Sequence, residues 1–340
     1  MSRRSAVVAG LALLGTWAAL VAGVLALRRA STARLRRPGV GPGVVADDGV
    51  LLHAQQEGRA DAPLTVVLSH GFASGAGTFE PQREHLGRRA RVVVMEHRGH
   101  RRSGWSGRWD TDLERLGRDL GEVVDACPEG PVVLVGHSLG AIAVLELARQ
   151  RPRLFGDRVR GVALLSGSSG RRTPRGPMRS AWRVVERVAG SRAVAAAAWL
   201  IGPVLDGVDP VARRLPRRVV GRVFFGHDDV DEATWQDLRR MWRETSHAKV
   251  DQLAPRALSV AEDTALDVVA RVPVLVLAGT ADPVFPAAGA ARTARRVGDA
   301  ARLVLLQGAG HMVTLSRPDE VREALDELLD RVTSAVGAAT

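Results

Sequence analysis

Ser138 stands in Gly136-His137-Ser138-Leu139-Gly140, between the apolar run Val132–Val135 and the helix-like AIAVLELARQ. Gly-x-Ser-x-Gly alone is a weak pattern, but between a strand-like run and a helical one it reads as a nucleophile on a sharp corner. The amide of Leu139, at the start of the following helix, can point at a developing oxyanion. A serine hydroxyl at neutral pH needs a base within hydrogen-bond reach. Of the nine histidines, His311 in QGAGHM lies just past the last apolar run, on a loop at the same sheet edge. A carboxylate must hold that base's tautomer and stabilise its imidazolium form. Asp282 in GTADPVFP follows the preceding run and is the candidate; Asp263 and Asp267 are alternatives that fall before that run on a helix-like segment. His53, His85, His227 and His247 have no such placement and read as residues of the surface or of an insertion. A second oxyanion donor is expected from the loop LSHGF (68–72), where Gly71 lets the chain turn and Phe72 presents its N–H. His70 reads as a brace for that loop.

These residues need a scaffold that brings strand ends to one edge. Val44–Ala54 reads as the first strands, turning at Asp48-Gly49, and LTVVLS (64–69), RVVVME (91–96), VVLVG (132–136), VALLS (162–166), PVLVLAG (273–279) and ARLVLLQ (301–307) follow. The runs are continuous rather than alternating, so both faces of each strand are expected to be buried, as in a parallel sheet. Helix-like stretches at 110–125, 139–150, 287–297 and 319–336 lie between them; the last repeats Val321, Leu325, Leu328, Leu329 and Val332 at helical spacing. Strand–helix alternation predicts an α/β fold with a doubly wound, mostly parallel sheet, whose ligands bind beyond the C-terminal strand ends. Residues 168–260 carry no clear strand and read as a helical insertion. Within it, 193–205 (AVAAAAWLIGPVL) is almost wholly apolar, and the arginines from Arg171 to Arg187 read as a solvated basic face.

The first 43 residues are different. Residues 6–27 form an uncharged stretch of 22 residues. As a helix it would reach ~33 Å, enough to span a hydrocarbon core. It reads as a transmembrane-type anchor, with a cleaved signal peptide as the rival. The arginine excess after it favours a catalytic domain on the cytoplasmic side; cleavage would instead give a secreted protein. Residues 28–43 read as a basic, Pro/Gly-rich linker. The domains expected are therefore 1–43, an anchor and linker; 44–167 with 261–340, the α/β core; and 168–260, the insertion.

The 340-residue chain has a formal net charge of +11, but Lys249 is its sole lysine and the arginines are scattered. No basic stripe interleaves with aromatics, so nucleic acid is not an expected partner. An anionic membrane surface suits the charge better. Cys127 is the single cysteine, so neither an intramolecular disulfide nor a cysteine-based zinc site can form.

The chain resembles the α/β-hydrolase superfamily over roughly residues 44–335. The motifs that carry the resemblance are His70-Gly71-Phe72, Gly136-His137-Ser138-Leu139-Gly140, Gly279-Thr280-Ala281-Asp282 and Gly308-Ala309-Gly310-His311, in the superfamily's order Ser, Asp, His. EHRGHRRS (96–103) is similar to its Asp-x-Arg-Gly-x-Gly-x-Ser loop, with Glu96 at the aspartate position and Arg101 in place of a glycine. Serine at 138 argues against the haloalkane dehalogenase and epoxide hydrolase branches, which use aspartate there. The insertion is similar to the superfamily's helical cap. The resemblance implies acyl transfer to Ser138, assisted by His311 and Asp282, with Phe72 and Leu139 amides as the oxyanion hole and no metal or cofactor. An ester with an apolar or lipid-like acyl group is the expected substrate. Thioesterase, amidase or aminopeptidase, acyltransferase, cofactor-free haloperoxidase and a non-enzymatic binding protein are the alternatives.

Overall fold

The computed structural model describes residues 43–105, 112–167, 221–222, 224–244 and 263–337. The apolar stretch 6–27, the linker up to residue 42 and most of 168–260 lie outside the described residues. Among the described residues, no helix is long and apolar enough to cross a membrane.

Valine-rich runs suit extended backbone because β-branched side chains pack well on a pleated surface. Eight strands form one sheet: β1 (Gly43–Val45), β2 (Leu51–Gly58), β3 (Thr65–Ser69), β4 (Arg91–Met95), β5 (Val132–His137), β6 (Val159–Leu165), β7 (Val274–Gly279) and β8 (Ala301–Leu306). Their spatial order is β1-β2-β4-β3-β5-β6-β7-β8. β1 and β2 are antiparallel to their neighbours, and all pairs from β4 to β8 are parallel. The register sets Ser69 beside Met95 on one side and Gly136 on the other, and Gly279 beside Leu306. The strand ends that carry the candidate residues are thus level along one edge.

Successive residues on each central strand face opposite layers. Val132 and Leu134 pack with one cluster; Val133 and Val135 pack with the other. The first layer holds α2 (Leu113–Ala126), α3 (Leu139–Gln150), α5 (Asp263–Val269) and α6 (Ala287–Val297). The second holds α1 (Glu80–Gly87) and α8 (Pro318–Gly337), with α4 (Glu232–Glu244) and the short α7 (Val313–Ser316) near the strand edge. All five apolar residues expected on one face of α8 are buried. Each such side chain contributes about 2 kcal/mol on burial.

Two expectations change. β8 is an edge strand, and only Leu306 on it is fully buried, so its continuous apolar run does not mean two covered faces. His53 is buried rather than superficial: its N–H donates to Ser103 Oγ at 2.9 Å, and β2 lies against β4.

The 96–103 loop is structural. Glu96 is buried, and its Oε2 accepts the Arg102 N–H at 2.9 Å. Arg101 has φ +40°, so arginine there keeps the left-handed backbone that its glycine counterpart would hold freely. The Arg98 guanidinium is fully buried; Asp119 accepts two bonds from it at 2.6 Å, and Asp48 accepts a third at 2.8 Å. A buried charge needs such pairing to be tolerated.

Candidate active site

Ser138 links β5 to α3 with φ +53° and ψ −110°. A non-glycine residue held there stores roughly 1–3 kcal/mol of strain. Its neighbours must be small. A Cβ on Gly140 would fall on the Ser69 carbonyl oxygen, and one on Gly136 would lie 2.5 Å from the Ala141 nitrogen. The corner is therefore as crowded as its two glycines suggest.

The structure brings the three side chains together. Ser138 Oγ lies 3.0 Å from His311 Nε2, and His311 Nδ1 lies 2.9 Å from Asp282 Oδ2. All three residues are buried. Asp282 Oδ1 also accepts the N–H groups of Val284 (2.7 Å) and Phe285 (2.9 Å), which fixes the carboxylate plane. With Asp282 accepting from Nδ1–H, Nε2 is left as the acceptor that faces the serine hydroxyl. The loops carrying Asp282 and His311 are tied by Ala281 N–H to the Ala309 carbonyl at 3.0 Å. Asp263 and Asp267, the alternative acids, lie on α5, where Asp267 pairs with Arg296 at 2.6 Å.

Gly71 approaches the corner closely: a Cβ there would lie 3.2 Å from Ser138 Cβ. The half-buried Phe72 follows it. Among the described residues, neither the Phe72 nor the Leu139 N–H donates to a backbone or side-chain acceptor.

Three buried histidines brace the Phe72 loop. His70 Nδ1 donates to the Gly71 carbonyl at 2.7 Å, and His70 Nε2 accepts the His97 N–H at 3.0 Å. His100 Nε2 accepts the Ala73 N–H at 3.2 Å, and its Nδ1 donates to the Arg98 carbonyl at 3.1 Å. Burial holds His70 well below the usual histidine range, and burial with the neighbouring His100 lowers His97 to about 3. His70 is the brace that the sequence suggests.

Other features carried weaker sequence signals. Phe285 stacks on the His311 ring at 5.8 Å with an interplanar angle of 7°. It stands in the same GTADPVFP segment as Asp282, but its aromatic character alone gave it no role. Residues 224–227, within the stretch 168–260, run along the His311 loop. Phe225 accepts the Gly310 N–H at 3.0 Å, Phe224 accepts the Met312 N–H at 2.7 Å, and His227 N–H donates to the Gly308 carbonyl at 2.8 Å. Asp228 pairs with Arg317 at 2.6 Å. α4 then packs Trp235, Leu238 and Met241 against Phe225 and Met312. His227 is exposed, as expected, while His85 is half-buried and lies 2.7 Å from Asp326. His247 lies outside the described residues.

A model of the alpha/beta hydrolase family matches residues 66–324. Epoxide hydrolase A of Mycobacterium tuberculosis is 27% identical, covering 84% of this chain and 96% of its own length. A pimeloyl-[acyl-carrier protein] methyl ester esterase of Xanthomonas oryzae is 30% identical, covering 78% of this chain and 95% of that protein. Among solved structures, the enol-lactonase of Burkholderia xenovorans superimposes with a TM-score of 0.63 at 20% identity, covering 85% of this chain and all of that one.

Proposed function

Proceeding from a chain that belongs to the alpha/beta hydrolase family, we propose that it cleaves carboxylic esters through an acyl-enzyme on Ser138. The observation that supports this reading is the continuous line from Asp282 through His311 to the Ser138 hydroxyl. His311 Nε2 takes the hydroxyl proton as Oγ attacks the ester carbonyl. The negative charge on the carbonyl oxygen is met by the Leu139 and Phe72 amides. Collapse expels the alcohol, protonated by His311. Water activated by the same imidazole then releases the acid, and Asp282 stabilises the imidazolium in both halves.

A serine argues for acyl chemistry over epoxide opening, because the epoxide hydrolase branch attacks with an aspartate at this corner. The name of the Xanthomonas relative, a methyl ester esterase, supports the same choice. The apolar composition of 193–205 supports an apolar acyl group. Each buried CH₂ is worth ~0.8 kcal/mol, roughly fourfold in kcat/KM. Across p-nitrophenyl esters of increasing chain length, kcat/KM is expected to rise over the first methylenes and then level. A profile that falls from acetate onward would overturn the apolar preference. Fluorophosphonate labelling, lost in Ser138→Ala, tests the ester chemistry itself.

The uncharged stretch 6–27 supports attachment of this enzyme to a membrane, with the catalytic domain on the cytoplasmic side. The full chain is expected to sediment with membranes and to resist high-salt and carbonate extraction. Recovery of a mature protein beginning near Leu27 would establish a cleaved signal instead.

A further inference from the structure

His137, the residue before the candidate nucleophile, makes a contact that the proposed chemistry does not use. Its Nε2 lies 3.0 Å from the main-chain carbonyl oxygen of His311. A carbonyl only accepts, so Nε2 carries the proton and donates. Nδ1 is then a bare lone pair, buried and without a hydrogen-bond partner. That edge of the ring faces the oxyanion loop: a Cβ on Gly71 would stand 3.0 Å from Nδ1. The His137 and His311 rings lie 5.1 Å apart, tilted by 49°. One imidazole therefore sits against the nucleophile corner, the base loop and the loop of Phe72 at once.

We propose that His137 is a positioning residue that holds the His311 loop at reacting distance from Ser138 through its Nε2–H bond to the His311 carbonyl. The inference rests on the acyl-enzyme reading above. Ser138 and His311 meet through a single side-chain hydrogen bond, and the two loops come from strands β5 and β8, which do not touch in the sheet. A second tie from the neighbouring residue, made to backbone, restricts how His311 can tilt. The donor must also stay uncharged, because His311 becomes a cation during each half-reaction. Burial, together with the nearby His311 charge, lowers His137 to about 3, so it remains neutral when its neighbour is protonated.

Three substitutions separate this tie from simple space filling. Glutamine at 137 places an amide nitrogen as many bonds from Cβ as Nε2; asparagine places one only as far as Nδ1; leucine keeps bulk and has no donor. The measurements are kcat and KM on a short aryl ester, the second-order rate of fluorophosphonate labelling, and the thermal midpoint. His137→Leu and His137→Asn are expected to slow kcat and labelling roughly 10- to 100-fold with KM changed by less than about threefold, the scale for misplacing a reacting group. His137→Gln should restore both rates to within about threefold of the natural enzyme. If the leucine variant does not fold, the asparagine and glutamine pair decides. Normal labelling of His137→Leu or His137→Asn, beside a silent Ser138→Ala, would overturn the inference alone. A glutamine variant as slow as the asparagine one would do the same. Near-normal turnover in Ser138→Ala would overturn the acyl-enzyme reading and this inference together.

Discussion

Ser138→Ala is expected to lower kcat on a short aryl ester by about 10⁴- to 10⁶-fold, leaving the turnover that binding and oxyanion stabilisation alone can support. A loss of 10⁴ corresponds to about 5.5 kcal/mol of transition-state stabilisation. His311→Ala should cost about as much, and the double variant little more, because a nucleophile without its base and a base without its nucleophile fail at the same step. Asp282→Asn is the more informative change. Asp282 Oδ1 already accepts two backbone N–H groups. An asparagine would keep its oxygen there and turn its NH₂ toward His311. Nδ1 would then have to accept, the proton would move to Nε2, and Nε2 could no longer take the proton of Ser138. The expected loss is about 10²- to 10⁴-fold, while fluorophosphonate labelling slows without vanishing. The measurements are steady-state kinetics and the labelling time course. Near-normal turnover in Ser138→Ala, with retained labelling, would remove Ser138 from the mechanism.

The parts of the site read from sequence share one property: their chemistry constrains local sequence. A serine forced through a left-handed corner needs Gly136 and Gly140 beside it, and both prove too crowded for any side chain. Asp282 and His311 follow apolar runs because the open parallel sheet places its loops there. The contacts that were not legible depend on which strands become neighbours. His70, His97 and His100 meet because β3 and β4 are adjacent with Ser69 level with Met95, and nothing in the spacing of either loop encodes that. β8 reads as doubly buried, yet its place at the edge is a property of the whole sheet. α1, EPQREHLG, has only Gln82 and Leu86 buried and shows no apolar period to detect. The contact of residues 224–227 is illegible for a related reason: they are held to the His311 loop mainly by backbone hydrogen bonds, which leave no mark on side-chain pattern.

Acid is expected to unfold this protein through its buried histidines well before its paired carboxylates titrate. His97 and His137 are lowered to about 3, first by burial and then by His100 and His311 respectively; His70 is lowered as well, by burial and then by His97 and His100. In the unfolded chain each returns to the ordinary value near 6.5. Between pH 6.5 and about 3 the unfolded state therefore binds more protons than the native one, and stability falls as pH falls. The sign is fixed by geometry too, since His70 Nε2 and His100 Nε2 accept backbone N–H groups and a proton on either would set two donors against each other. Each such histidine removes at most about 1.4 kcal/mol per pH unit within that window. His97 and His137 together would remove about 4–5 kcal/mol between pH 6.5 and 4.5, a large share of the stability of a typical domain, and His70 acts in the same direction. Asp48, whose carboxyl is lowered by Arg98 against the opposing effect of burial, acts in a separate window: its contribution is lost only below about pH 4. Urea unfolding at half-unit steps from pH 7 to 4.5 should show a steep decline beginning near pH 6. In His97→Gln the slope should ease by about one proton, roughly 1.4 kcal/mol per pH unit, because one group that the unfolded chain protonates has been removed. A decline that begins only below pH 4.5, or a slope unchanged in His97→Gln, would show that carboxylates rather than histidines govern acid unfolding.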